Sequence, residues 1–197
     1  MDHIETERDK TRALDILEKA FCDVPGVIWI LKKNGNKKKL LRELLSFCLQ
    51  ESAVKNGAYL TRDRNGVVFF YKLECKPASL MILFKKLYLL IKVSGIKHGI
   101  RAIKSRKIID RVRPKTGWYG WFLAADRDAN GNAAAFEIKR EIFKLSDVSN
   151  EPIYVETTVE RIRLLYKKMG FYEYAKIRHP YENFDIWFMK RDPQTIN

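Results

Sequence analysis

The stretch Trp118-Tyr119-Gly120-Trp121-Phe122-Leu123-Ala124-Ala125-Asp126-Arg127-Asp128-Ala129-Asn130-Gly131-Asn132-Ala133-Ala134-Ala135 decides the fold. Its first eight residues are aromatic and aliphatic and predict a buried strand. Asp126 to Asn132 reads as a polar loop, and a helix is expected from Ala133 to about Leu145. Downstream, Ile153 to Thr157 after Pro152 is a second short strand. A helix is expected from Thr158 to Lys168, entered by a capping box of Thr157 and Glu160 and stopped at Gly170. Two strand-like runs, Tyr172 to Arg178 and Phe184 to Lys190, flank a His179-Pro180 turn. Strand, helix, strand, helix and hairpin together imply a sheet with helices on its faces.

Upstream, Ala13, Leu14, Leu17, Ala20 and Phe21 have helical spacing within residues 7 to 21, and Pro25-Gly26 is expected to end that helix. Leu40, Leu41, Leu44, Leu45, Cys48 and Leu49 stripe a second helix from Lys37 to about Val54, closed by Asn56-Gly57. Ala58 to Thr61 and Val67 to Tyr71 then alternate as a hairpin, with Asn65-Gly66 suited to positive φ. A basic helical pair, 78 to 94 and 97 to 112, follows Pro77 and ends before Pro114. In the second of these, Ile96, Ile100, Ile103 and Val112 form the apolar side.

The chain has 197 residues, a net charge of +14 and 46% apolar residues. Disordered and collagen-like classes are excluded by that apolar content. Residues 30 to 115 hold 22 Lys and Arg against 5 Asp and Glu, so the whole surplus lies there. It makes nucleic acid or another polyanion a candidate partner, with Tyr88 nearby, although no recognition motif accompanies it. Cys22, Cys48 and Cys75 have no zinc or redox spacing and read as core thiols. His3, His98 and His179 read as surface or turn residues rather than metal ligands. Met1 to Lys10 is polar, and Leu80 to Val93 is too short and too often interrupted by lysine to span a bilayer, so a cytoplasmic protein without a membrane span is expected. No oligomeric state follows from these patterns.

The loop admits two chemical readings. Gly131 and the small alanines leave the N–H groups of a helix start open to a phosphate. The same residues match a calcium loop, with Asp126, Asp128, Asn130, Gly131 and Glu137 at its ligand positions. A calcium loop needs a helix on both sides, and here a strand precedes it.

The run Trp118 to Ala125 leading into a glycine loop, the strand Pro152 to Thr157, and Tyr166-Lys167-Lys168-Met169-Gly170-Phe171 after an amphipathic helix resemble the GNAT superfamily of acetyl-CoA-dependent N-acetyltransferases. The resemblance implies an α+β fold with a central twisted mixed sheet and helices on both faces. It implies a single domain over 1–197, with N-terminal helices in 1–57, a basic helical insertion in 77–114 on the acceptor side, and a CoA-binding half in 118–190. It further implies that acetyl-CoA and an amine acceptor meet in a ternary complex. Phe122, Leu123, Ala124 and Ala125 would face the pantetheine arm. The family's loop pattern aligns with Asp128, Ala129, Asn130, Gly131, Asn132 and Ala133, with Arg127 offsetting the acid at Asp128. Tyr166 would protonate the departing thiolate, and Glu156 is the candidate general base, unless it pairs with a neighbouring Lys or Arg. Val159 and Ile162 stand where the family often has asparagines. A non-catalytic GNAT-like protein, a calcium module and a nucleic-acid binder are the alternatives.

Overall fold

The computed structural model describes every residue except 32–33, 76–87, 89–91, 127, 130 and 195–197. The expected helix 78 to 94 therefore lies largely outside the described residues. In chain order the elements are β1 (Asp2–His3), α1 (Glu7–Phe21), α2 (Pro25–Ile28), α3 (Lys37–Val54), β2 (Ala58–Leu60), β3 (Gly66–Lys72), α4 (Ile96–Val112), β4 (Trp118–Ala125), α5 (Gly131–Ser149), β5 (Ile153–Thr157), α6 (Glu160–Lys168), β6 (Tyr172–Arg178) and β7 (Asp185–Arg191).

All seven strands join one mixed sheet in the order β1-β2-β3-β4-β5-β7-β6. Every neighbouring pair is antiparallel except β4 with β5. Alternation along β3 explains why its apolar run is buried on both sides. Val67 and Phe69 face the leucines of α1 and α3, while Val68 and Phe70 face Ile138 and Ile142 of α5. The sheet is thus a wall between two apolar cores, one roofed by α1 and α3 and the other by α5.

Several sequence expectations need correcting. Pro25-Gly26 does not merely end α1, because Pro25 occupies the first turn of α2, where its missing N–H costs nothing. The hairpin's positive φ falls on Arg64, at +58°, while Asp63 accepts from the Asn65 N–H and so shapes the turn. The capping box fails. Val159 is the residue before α6, and the Thr157 hydroxyl instead accepts from the Val159 N–H at 3.1 Å. Of the thiols only Cys48 is a core group, since Cys22 and Cys75 are exposed. Helix α5 begins two residues earlier and ends four later than its apolar pattern suggested, so Gly131 lies inside its first turn.

The largest correction concerns α4. Its buried residues are the small ones, Gly99, Ala102 and Ser105. Ile96, Ile100 and Ile103 of the apolar side read from the sequence are exposed, and Val112 is only half-buried. The stripe that periodicity locates does not face the core.

The end of α6 is tightly specified. Phe171 N–H donates to the Tyr166 carbonyl at 3.0 Å and Gly170 N–H to the Lys167 carbonyl at 3.1 Å, the paired bonds of a Schellman motif. The rings of Tyr166 and Phe171 pack 5.3 Å apart across it. Gly170 has φ +91° and open space around it. Gly170→Ala should therefore lose about 1–2 kcal/mol through backbone strain alone, measured as a lower urea midpoint; an unchanged midpoint would contradict this geometry.

Candidate active site

Between β4 and β5 the sheet comes apart. Pairing covers only Trp118 with Ile153, Tyr119 with Tyr154 and Gly120 with Val155. Immediately beyond, β4 carries a bulge: Phe69 opposes Phe122 and Phe70 opposes Gly120, which leaves Trp121 as the extra residue. A bulge bends its strand and increases local twist, and here it ends pairing on the β5 side. Asp126 N–H donates to the Asn65 carbonyl on the β3 side at 2.7 Å. By alternation, the Leu123 and Ala125 backbone groups turn toward β5, where no strand residue faces them. Phe122 and Ala124 are instead committed to β3, and their side chains fill the core beneath α1 and α3. Of the four residues expected to face a ligand, two turn their backbone groups away from β3 and meet no strand partner among the described residues.

On the α5 side of this gap, Tyr166 packs against the same apolar cluster as Leu123, Met169 and Phe171. Burial pushes its phenol up to about 12, so it is neutral at working pH. Its hydroxyl has no hydrogen-bond partner among the described residues. The exposed first turn of α5, with Asn132 and Ala133 at the surface, opens beside the loop.

That loop is held from a distance. Asp126 is buried and takes Arg12 at 3.0 Å and Lys19 at 3.3 Å, both from α1, and Asp128 N–H donates to it at 3.2 Å. Burial alone would raise the Asp126 carboxyl, but these donors prevail and hold it below the usual carboxylate range. Lys19 also reaches exposed Asp128 at 3.0 Å. The cation that offsets Asp128 thus comes from α1, while Arg127 and Asn130 lie outside the described residues. Ala129 N–H closes the turn on the Asp126 carbonyl at 3.2 Å. A Cβ at Gly131 would sit 2.7 Å from that carbonyl, so the glycine is required by the loop's own backbone.

Three of the carboxylates of the calcium reading are engaged by other partners. Asp126 and Asp128 are neutralised by α1, and Glu137 accepts from the Arg62 N–H and pairs with the N-terminal ammonium at 3.4 Å. No group among the described residues gathers His, Cys, Asp and Glu in a way that could hold a metal ion.

Across the sheet, on the face of α4, Glu156 is half-buried. Its Oε1 takes the Arg113 guanidinium at 2.6 Å, so the alternative of a pairing cation is realised. Arg113 also donates to the Tyr119 hydroxyl at 2.8 Å. Burial raises the Tyr119 phenol well above its ordinary value, and its hydrogen bond to Glu156 adds to the shift. Oε2 of Glu156 makes no ion pair among the described residues.

Of the histidines, His3 is at the surface as expected and His98 is half-buried, but the turn residue His179 is buried. His179 is 5% exposed. It follows β6 and lies beyond the C-terminal end of β5, because Lys176 pairs with Trp187 and Trp187 with Thr157. Its Nδ1 accepts from the Tyr181 N–H at 3.4 Å, and Nε2 meets the Ser105 hydroxyl at 3.0 Å. Burial holds its imidazole below the usual value, against an opposing pull from Glu182. Trp29 packs edge-on against His179 at 4.3 Å and lies 4.8 Å from His98. His98 Nε2 donates to the Trp29 carbonyl. Gly26 N–H reaches the Thr158 hydroxyl at 3.3 Å and ties α2 to the end of β5. Residues 150 apart in sequence make this cluster, so no local spacing could have announced it.

A short parallel pairing that ends at a bulge, inside a seven-stranded mixed sheet, is decisive for the architecture. The chain has the GNAT fold. Among solved structures it is similar to a protein described as histone acetyltransferase HPA2 and related acetyltransferase from Corynebacterium glutamicum, with a TM-score of 0.67 and 19% identity over 98% of this chain and 96% of that one. Arylalkylamine N-acetyltransferase 2 from Aedes aegypti gives 0.60 and 12% over 98% of each chain. A putative acetyltransferase of the GNAT family from Desulfovibrio desulfuricans gives 0.52 and 12% over 95% and 94%. No protein-family model and no curated protein sequence matches the chain. The GNAT fold is therefore carried here by a sequence no more than 19% identical to these three structures.

Asp126→Asn should lose about 2 kcal/mol at neutral pH, less than the roughly 3–5 kcal/mol of a fully buried pair because Arg12 and Lys19 reach solvent. A depressed carboxyl stabilises above its unfolded value of about 3.9, and that stability disappears as pH falls through the lower folded value. The gap between wild type and variant should close in acid denaturation below about pH 4. A gap that persists undiminished at lower pH would show that the charge of Asp126 is not what the loop uses.

Proposed function

We propose that the chain transfers an acetyl group from acetyl-CoA to an amine by direct attack in a ternary complex. The observation that carries this reading is the gap between β4 and β5. It joins the α5 face of the sheet, with Tyr166 and the open helix start, to the opposite face, with Glu156, Arg113 and Trp29. Donor and acceptor approach from opposite sides, and the reacting atoms meet where the Leu123 and Ala125 backbone groups face the gap.

Each residue then has a chemical task. The Leu123 and Ala125 amides hold the pantetheine arm and stabilise the oxyanion that develops on the attacked thioester carbonyl. The N–H groups of Gly131, Asn132 and Ala133 at the start of α5, with Lys19 and the Asp128-Ala129 turn beside them, receive the pyrophosphate. Glu156 Oε2 takes the proton of the acceptor ammonium, while Arg113 and Tyr119 hold the carboxylate in place from Oε1. The amine nitrogen forms its bond to carbon and gives its second proton to solvent, the carbon–sulfur bond breaks, and the electron pair leaves on sulfur. Tyr166 donates to that sulfur. With its phenol near 12, it acts first as a hydrogen-bond donor to developing charge and gives up its proton only as the desolvated thiolate becomes comparably basic.

Acetyl-CoA at 100 times its dissociation constant should stabilise the chain by about 2.7 kcal/mol, read as a thermal shift, and an amine panel should contain an acceptor that releases free thiol. A chain that neither shifts with acetyl-CoA nor releases thiol with any amine is not an acetyltransferase. Tyr166→Phe should lower kcat roughly 10- to 100-fold, the value of one hydrogen bond to a charged group, with acetyl-CoA affinity retained. Glu156→Gln should cost roughly 100-fold near neutrality, and the deficit should shrink as pH rises and more of the amine is already neutral. A pH-independent deficit would move Glu156 from proton acceptor to a purely positioning role.

A further inference from the structure

Four of the five isoleucines of α4 are unexplained by the fold. Ile96, Ile100, Ile103 and Ile108 are 69%, 51%, 38% and 36% exposed, whereas the buried side of the helix is made by Gly99, Ala102 and Ser105. Spacings of four and three put the first three in one stripe on the solvent side. Isoleucine is a poorer helix former than leucine or alanine, so an exposed stripe of it serves neither propensity nor packing. The same helix carries Lys97, Arg101, Lys104, Arg106, Lys107 and Arg111 against one acid, Asp110. Asp110 is already held by Arg106 and Arg113, both at 3.0 Å. Lys97, Lys104, Lys107 and Arg111 have no carboxylate partner among the described residues.

We propose that the solvent face of α4 docks on a lipid bilayer rich in anionic headgroups. A partner for this face must be apolar where the isoleucines point and anionic around them. A second copy would bring like charge against like charge. Nucleic acid would satisfy the cations and leave the isoleucines in water. The boundary between acyl chains and phosphate headgroups meets both demands, with isoleucine entering the apolar layer and lysine and arginine stems reaching back to the phosphates. No described helix is long and apolar enough to cross a membrane, so contact through α4 would be peripheral. The proposal does not depend on the acyl-transfer reading.

The test is co-sedimentation of the full chain with phosphatidylcholine vesicles and with vesicles in which part of that lipid is replaced by phosphatidylglycerol. Binding is expected only to the anionic vesicles. Two double variants, Ile96→Ser with Ile100→Ser and Lys104→Gln with Lys107→Gln, alter exposed groups only, and circular dichroism would check that both remain folded. Each should weaken vesicle binding roughly 10-fold or more. Failure to bind anionic vesicles overturns the proposal. So does binding that the isoleucine variant leaves intact, which would be charge adsorption elsewhere on the chain. Sedimentation that reveals a dimer dissolved by the isoleucine variant would assign the face to a second copy instead.

Discussion

Everything specific about this structure follows from one misfit between strands. β4 has one residue more than β3 can pair, and the surplus at Trp121 turns the strand away from β5 after three paired positions. A parallel sheet normally satisfies every interior N–H and C=O. Here Leu123 and Ala125, in the middle of the sheet, meet no strand partner on the β5 side among the described residues. The packing of both cores holds the strands apart there. The bulge also puts the Trp121 and Phe122 rings on the same face, 5.3 Å apart, so the core under α1 and α3 fits the bent strand and no other register.

The loop beyond β4 depends on a second long-range constraint. Arg12 and Lys19, two turns apart on α1, converge on Asp126, and Arg12 also holds the Arg64 carbonyl and the Asn65 side chain of the β2–β3 turn. Three segments remote in sequence share one buried carboxylate. The helix start that follows is thereby fixed relative to the gap before any ligand arrives.

Local patterns were legible wherever local physics decides. The strand Trp118–Ala125, the helix Lys37–Val54, the Gly170 cap and the place of Tyr166 before it were readable because each rests on neighbours within a turn or a pleat. The strand-glycine-helix order was enough to reach the fold. Three things were not readable. Period finds a stripe on α4 but carries no sign, so the side that faces inward had to come from the tertiary structure, where small residues allow close approach to the Trp29 and His179 cluster. Thr157 offered a cap at the right spacing, but its hydroxyl accepts from the N–H two residues on rather than three. His98, His179, Ser105 and Trp29 meet only because α2, α4 and the β6–β7 turn fold over the end of β5, so each looked solitary in sequence. Glu156 was found from its place on a strand, while its bond to Arg113 waited on the path of α4.

Arg113 has one further consequence. It is the residue that closes α4, and its guanidinium is clamped between Asp110, Tyr119 and Glu156. α4 is about 25 Å long at 1.5 Å per residue, with its isoleucines toward the far end. The helix is thus moored at both ends, by Arg113 to Glu156 at its C-terminus and by His98 and Ser105 to Trp29 and His179 nearer its start, so the place of the cation beside Glu156 is set by the seating of the whole helix.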